Sequence, residues 1–360
     1  MKWLKKILWL ILVISGLFCL FLLIIVLTDF RPEPVEKLVA KGNAREISET
    51  DSIYSVTTWN IGYFGLGKEC DFFYDGGKMT RPAKTDYYRY AAETLKYLDR
   101  SAKSDFYFFQ EVDLNSARSY RNYQVKKISG LFQGYESAIA INYDVQFVPI
   151  PLRKPMGKVK SGLFSMTRYI STENSRYALP GGYSWPVRLF QLDRCFLLTR
   201  VPLPSGKDLV LINTHNEAYD DGSQRIQQLA ILKNVMLKEY DNGNFVIAGG
   251  DWNQNPVGYK MLRFTNEDLG RYIEPPIDPN LLPEGWQWAF DPEIPTNRDV
   301  NQPYIIGETR TTIIDFFVVS PNISVIEIKT DDLGFEWSDH QPVRMRFRLG
   351  HQPKGLKCCM

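Results

Sequence analysis

The chain has 360 residues, of which 44% are hydrophobic and 23% charged, enough apolar material for a large globular core. Its formal charge of +2 falls to about −1 once the three lysines ahead of the first acid, Asp29, are set aside, leaving 40 basic against 41 acidic residues. That balance excludes a globally basic nucleic-acid footprint, though not a local patch, and five scattered cysteines without zinc-ligand spacing exclude a disulfide scaffold or a zinc module.

Ile7 to Leu27 carries no charge and follows Lys2, Lys5 and Lys6. These 21 residues, as a helix rising roughly 1.5 Å each, span about 30 Å, the hydrocarbon thickness of a bilayer. A cleaved secretory signal is the competing reading, but its apolar run is usually shorter and ends at small residues. Here the run ends Val26-Leu27-Thr28-Asp29-Phe30, and Phe18 precedes Cys19 where a lipoprotein would need a small residue. The expectation is an uncleaved single-pass anchor at 7–27, with residues 1–6 cytoplasmic and the remainder extracytoplasmic.

Arg31-Pro32-Glu33-Pro34 reads as extended, which suggests a linker over 28–54. A compact domain is expected over 55–349, with a tail at 350–360. Strand candidates rich in β-branched and aromatic residues are Ser55–Asn60, Phe106–Gln110, Ser137–Asn142, Gly162–Thr167 and Cys195–Thr199. They continue at Leu209–Asn213, Phe245–Gly249, Ile313–Val319 and Val343–Phe347. Helical patterns cover Asp86–Leu98 and Ser223–Glu239, the latter with Ile226, Leu229, Leu232 and Met236 on one face. Strands mixed with a few helices, without regular alternation, predict sheets packed on each other with helices outside. The Pro- and Trp-rich stretch from Glu274 to Tyr304 is expected to be a surface excursion. Cys70 and Cys195 would pair only if the fold joined them, and Lys357 removes a prenylation box from Cys358-Cys359-Met360.

The chain has three histidines, and two of them, His215 and His340, follow strand-like or apolar runs; His351 is in the tail. Asn60, Glu111, Asp251 with Asn253, and Asp315 sit similarly, where apolar runs open into loops. Any one of these has a plain structural explanation as a turn residue, a solvated acid or a bonded core histidine. Together they form the inventory a phosphoester hydrolase needs: oxygen ligands for a hard cation, an imidazole oriented by a carboxylate, and neutral donors toward developing charge.

In order along the chain, Thr58-Trp59-Asn60, Gln110-Glu111, Ser161 to Tyr169, Asn213-Thr214-His215, Gly250-Asp251-Trp252-Asn253, Ile314-Asp315 and Ser338-Asp339-His340 resemble the successive motifs of the endonuclease/exonuclease/phosphatase superfamily. That group includes DNase I, abasic-site endonucleases, neutral sphingomyelinases and inositol polyphosphate 5-phosphatases. The resemblance implies an α+β fold, a four-layer α/β/β/α sandwich with the site at one edge of both sheets. It further implies Mg²⁺ or Mn²⁺ held by Glu111, with Asn60 close by and Asp339 near the metal or a second cation. His340 would be general base or phosphate contact, oriented by Asp315. Asp251 would align the attacking water, and Asn253 and His215 would donate to phosphoryl oxygens.

Gly62 stands two positions after Asn60, where nuclease branches often carry an acid, and the pattern Asn60-Ile61-Gly62-Tyr63 is nearer the sphingomyelinase-like members. Lys78, Arg118 and Arg121 follow motif residues and are candidates for a substrate phosphate, or else for surface ion pairs. The resulting expectation is a monomeric metal-dependent phosphoesterase acting on a phosphodiester, such as a lipid head group at the membrane surface. An extracytoplasmic nuclease is the alternative. A non-catalytic binding module is disfavoured, because every motif residue is present.

A reporter fused after Leu349 should therefore be active only when exported, in a protein that still contains Lys2. A soluble form beginning near Thr28 would instead identify a cleaved signal.

Overall fold

The computed structural model describes residues 2–47, 53–260 and 276–350, so Glu274, His351 and the terminal cysteines lie outside the described residues. The first element, α1 (Lys2–Leu27), is long and apolar enough to cross a membrane. Strands β1 (Val35–Lys37), β2 (Lys41–Gly42) and β3 (Ile53–Asn60) come next, then α2 (Lys84–Arg100), β4 (Phe106–Asp113) and α3 (Gln124–Ser129). A long hairpin, β5 (Glu136–Val148) and β6 (Gly157–Thr167), leads to β7 (Glu173–Ala178), β8 (Cys195–Pro202) and β9 (Asp208–His215). Helix α4 (Ser223–Asp241) precedes β10 (Phe245–Asp251), β11 (Gln287–Ala289), β12 (Asn297–Arg298) and β13 (Thr311–Thr312). The chain closes with β14 (Asp315–Val319), β15 (Ile323–Thr330) and β16 (Val343–Leu349).

Two seven-stranded sheets result, ordered β1-β7-β8-β9-β10-β14-β11 and β15-β16-β3-β4-β6-β5-β2, beside the small β12-β13 pair. The pairs β3/β4 and β9/β10 are parallel, and each needs a crossover, supplied by α2 and α4. The central strands are buried on both faces, so their sequences are continuous apolar runs. Phe106 and Phe108 point between the sheets to meet Phe317, Met345 and Phe347, whereas Tyr107 and Phe109 point outward to Tyr87, Leu98 and Ile128 of α2 and α3. On the other sheet, Val210, Ile212 and Val246 receive Leu229, Leu232 and Met236 of α4. Helix, sheet, sheet and helix are thus stacked, as the expected DNase I-like sandwich requires.

Three local differences from the sequence reading have physical causes. The stretch expected as a linker is tied down, because β1 pairs with Ser175–Tyr177 and β2 with Glu136–Ser137. Two- and three-residue edge strands leave too short a pattern to read. Ile226 is 70% exposed, since the buried stripe of α4 runs through Arg225, Gln228, Leu229, Leu232 and Met236. The polar members are satisfied there: Gln228 donates to the Pro180 carbonyl and Arg225 pairs with Asp220. The excursion, from residue 276 onward, supplies β11 to one sheet and carries Asn297 and Arg298 inward. Cys70 and Cys195 are buried, separate thiols.

Phe108→Ala should cost about 3–5 kcal/mol, the range for deleting a large core ring. An earlier urea midpoint of the detergent-solubilised chain would register it.

Candidate active site

Strand register assembles half of the site. Asp251 at the end of β10 is level with His215 on one side and Asp315 on the other, so three polar side chains stand on adjacent strands at one sheet edge. Gly250 before it has φ +145°, and a Cβ there would lie 2.0 Å from the Thr214 carbonyl oxygen, so only glycine lets β10 approach β9 this closely. The second sheet provides the rest. Asn60 ends β3 beside Gln110 of β4. The pairing of β4 with β6 then slips between Phe109 and Val112, and Glu111, in that bulge, takes φ +55°. A left-handed glutamate is uncommon, and the bulge re-aims its carboxylate into the cleft. His340 is placed by its own carbonyl, which accepts the Trp59 indole N–H at 3.0 Å, and by a bridge to Asn297.

Side chains from both sheets converge. Asn60 Nδ2 donates to Asp251 Oδ2 at 2.9 Å and to Glu111 Oε1 at 3.3 Å, and lies 3.4 Å from His340 Nε2. His340 Nδ1 is 2.8 Å from Asp315 Oδ2, and Asn297 Nδ2 is 3.0 Å from His340 Nε2. Asp251 Oδ1 accepts the Asn253 backbone N–H at 3.0 Å, and Asn253 Nδ2 donates to the Asn216 carbonyl. The cleft they face is a cavity of about 640 Å³, within the usual size for a small-molecule site.

The two histidines experience opposite fields. Burial disfavours a charged His340, but Asp315, Asp251 and Asp339 outweigh it and push the imidazole up to about 10. Burial and the positive charges of Arg194, His340 and Arg118 hold His215 well below the ordinary histidine range. The surrounding charges thus favour the charged form of His340 and the neutral form of His215, whose Nε2 lies 3.4 Å from Asp251 Oδ2. Burial raises Asp251 to about 6, with Asp315 adding to the rise and His340 opposing it. Environments pushed apart in this way mark acid–base assignments.

A hard divalent cation fits the donor chemistry on the other side of Asn60. Asp339 is raised by burial and by the charge of Glu111, and Asp75 is raised to about 7 by burial and by Asp339, Asp299 and Glu111. Carboxylates this mutually repelled are relieved by a bound cation, and Glu111, Asp339 and the Asn60 amide oxygen are hard oxygen donors. Asp251, Asp315 and His340 also bring ligand atoms within 4.8 Å of one another. There, however, His340 Nδ1 is already engaged by Asp315, while Asp251 lies 3.7 Å from His340 Nε2 with the Asn60 amide between them. Gly62 belongs to the carboxylate side: at φ +47° its Cβ would sit 2.8 Å from Asp339 Oδ1, so an acid at this position would clash with Asp339 and repel it.

Of the expected phosphate contacts, the structure brings only Arg118 to the cavity. It is buried, paired with Asp113 at 3.0 Å, 3.6 Å from Glu111 Oε2 and stacked on Tyr63, so it braces the Glu111 carboxylate. Arg121 is exposed on a turn and donates to Asn115, and Lys78 is exposed beyond the Gly76-Gly77 turn whose end Asp71 caps. Neither lines the cavity. The structure adds Arg194 and Arg298, which had no motif to mark them. Arg194 pairs with Glu217 at 3.2 Å while its Nη1, buried at the cavity, has no hydrogen-bond partner. Arg298 donates to the Leu66, Gly67 and Cys70 carbonyls, clamping the loop after Gly62.

Residues 57–340 match the model of the endonuclease/exonuclease/phosphatase family of phosphoester hydrolases and nucleases, to which the chain belongs. Solved structures agree in fold. A family member from Beutenbergia cavernae superposes with TM-score 0.57 at 18% identity, over 84% of this chain and 73% of that one. ANGEL2, a 2′,3′-cyclic phosphatase, gives 0.53 at 15% identity, over 87% and 99% of the two chains. TDP2 from D. rerio, complexed with single-strand DNA product, gives 0.50 at 17% identity, over 83% and 100%. No curated protein matches in sequence.

Glu111→Ala and His340→Ala should each lower turnover of bis(p-nitrophenyl) phosphate by at least about a hundredfold, the scale for losing a metal ligand or an acid–base group. Lys78→Ala and Arg121→Ala, both off the cavity, should stay within about twofold, as surface changes do.

Proposed function

We propose that this protein is a membrane-anchored phosphodiesterase, dependent on Mg²⁺ or Mn²⁺, which acts on lipid head groups at an extracytoplasmic surface. The observation that carries the hydrolytic part is the placement of His340 at the cavity, its Nδ1 2.8 Å from Asp315 Oδ2 and its ring in the field of Asp315, Asp251 and Asp339. Glu111 and Asp339, with Asn60 beside them, would hold a divalent cation, which would supply Lewis-acid polarisation of the phosphoryl group and stabilise charge on the leaving oxygen. His340, kept protonated and pointed by Asp315, donates to a phosphoryl oxygen as negative charge builds. Asp251, whose carboxyl lies near 6, orients the attacking water and accepts its proton. Asn253 and neutral His215 complete the polar side, and Arg194 Nη1 is a buried donor for a further substrate oxygen.

Three features support a lipid. The N-terminal helix is long and apolar enough to cross a membrane, and as an anchor it would confine the site to a bilayer's vicinity. The remainder carries a charge near −1, whereas a protein gripping many DNA phosphates presents a basic face. One wall of the cavity is apolar, formed by Phe72, Tyr74, Tyr143, Met156 and Leu192, beside the polar wall that takes the phosphate. A nuclease is the second reading, favoured by the fold shared with the DNA-bound TDP2.

At matched divalent metal and physiological salt, the full-length protein should release head groups from sphingomyelin or phospholipid vesicles faster than it nicks plasmid DNA, and EDTA should abolish both. Rapid nicking with no head group released would transfer the assignment to the nuclease, and full activity in EDTA would remove the metal from the mechanism.

A further inference from the structure

The domain end of α1 lies against the domain. Phe21 packs its ring 6.2 Å from that of Phe147 and 6.3 Å from that of Phe190, Ile25 is buried, and Arg188 lies 3.8 Å from Asp29 just past the helix. Phe21 is six residues before Leu27, the end of the charge-free run. At roughly 1.5 Å per residue it stands about 9 Å inside that end. The run from Ile7 to Leu27 has no surplus length, since about 20 residues are needed to cross the hydrocarbon core. If α1 spans, Phe21 is below the bilayer surface, and so are the two rings that touch it.

Each ring adjoins a segment that contributes to the cavity lining, Met156 from the β5–β6 loop and Gln191 and Leu192 from the stretch before β8. Phe147 leads into the β5–β6 loop, whose tip exposes Ile150 and Leu152, the latter at 87%. Phe190 lies in the segment between β7 and β8, which exposes Trp185 and Val187. The same loops carry exposed Arg153, Lys154 and Arg188, and neither 147–158 nor 181–190 contains an acid. Exposed apolar side chains interleaved with cations are the composition of an interfacial membrane contact, where such groups sink about 5–10 Å. Directly behind the rim, Phe190 and Leu192 pack on Phe72, Tyr74, Tyr143 and Met156, four residues that line the cavity's apolar wall.

We infer that the β5–β6 loop and the loop before β8 form a bilayer-docking rim that seats the mouth of the active site among lipid head groups. The partner is a lipid surface, reached by an apolar ramp continuous from the rim to the catalytic carboxylates. This rests on the reading of α1 as a membrane anchor and deepens the lipid assignment.

The test uses full-length protein in phosphatidylcholine vesicles. With dibrominated acyl chains as quencher, wild type should lose more tryptophan emission than Trp185→Phe, a difference that isolates Trp185 from the helix tryptophans. Equal losses overturn the inference whatever substrate the site takes. A double variant, Ile150→Asp with Leu152→Asp, should lower head-group release from the same vesicles by at least about tenfold, the effect of forfeiting burial of one large apolar side chain. Its turnover of bis(p-nitrophenyl) phosphate should be unchanged. Ile326→Asp, an exposed apolar site on β15 at the opposite edge of that sheet, should alter neither. Unchanged head-group release by the double variant overturns the rim. If wild type cleaves the soluble diester but no lipid, the lipid reading fails and the quenching result alone decides the rim.

Discussion

The site exists because two sheets are held in one fixed register, and the bond that shows this most directly is between them. Gln110 Nε2 donates to Asn213 Oδ1 at 2.7 Å, both residues fully buried, one position before Glu111 and two before His215. Asn213 donates in turn to the Phe109 carbonyl and Ser165 Oγ. Buried amides of this kind are costly unless fully paired, so they admit only one alignment of the sheets. Neither sheet holds a complete site: Asn60, Glu111, Asp339 and His340 come with one, His215, Asp251 and Asp315 with the other. A slip of one residue would reverse the facing of a whole strand.

From that alignment follows a separation of charge. Asn60 stands at the junction, donating to Asp251 on one side and to Glu111 on the other. On the Asp251 side the carboxylates are compensated by the His340 imidazolium. On the Glu111 side the charges of Glu111 and Asp339 oppose each other and are offset in part by His340 and Arg298, and a bound cation would add to that compensation. Arg118 contributes there only partly, since Asp113 holds it by two bonds. Gly62 leaves the Asp339 carboxylate, which accepts from Ser338 Oγ at 3.3 Å, in a space that a side chain at position 62 would invade.

The N-terminal helix extends the same logic outward. A spanning run with no surplus length would set the depth of whatever touches it, and Phe147 and Phe190 pack against Phe21 within the run. The loops bearing them are also the cavity's apolar border. With α1 as the proposed anchor, helix, rim and cleft would form one apolar path, giving confinement and access a common structural origin.

Much of this was legible in the sequence. The central strands are buried on both faces and so leave uninterrupted apolar runs. The polar residues at their ends stand out against those runs, which is why Asn60, Glu111, Asp251, Asp315 and His340 could be read together with the sandwich that carries them. Arg194 and Arg298 could not, because a buried arginine is recognised only by the carbonyls or carboxylates it meets, and for Arg298 these are some 230 positions away. Arg121 and Lys78 misled for the opposite reason: nearness in sequence to a motif says nothing about which side of a turn a long cation will take. Edge strands β1 and β2 were too short to show a period, and Ile226 was placed on the wrong face because the stripe of α4 includes Arg225 and Gln228, polar residues that count as buried only once their partners are known. The sequence by itself thus determined the family, the layers and the strand-end chemistry, through periodicity and order. Only the tertiary structure decided which cations face the cavity and which loops meet the anchor, because both depend on contacts between segments far apart in the chain.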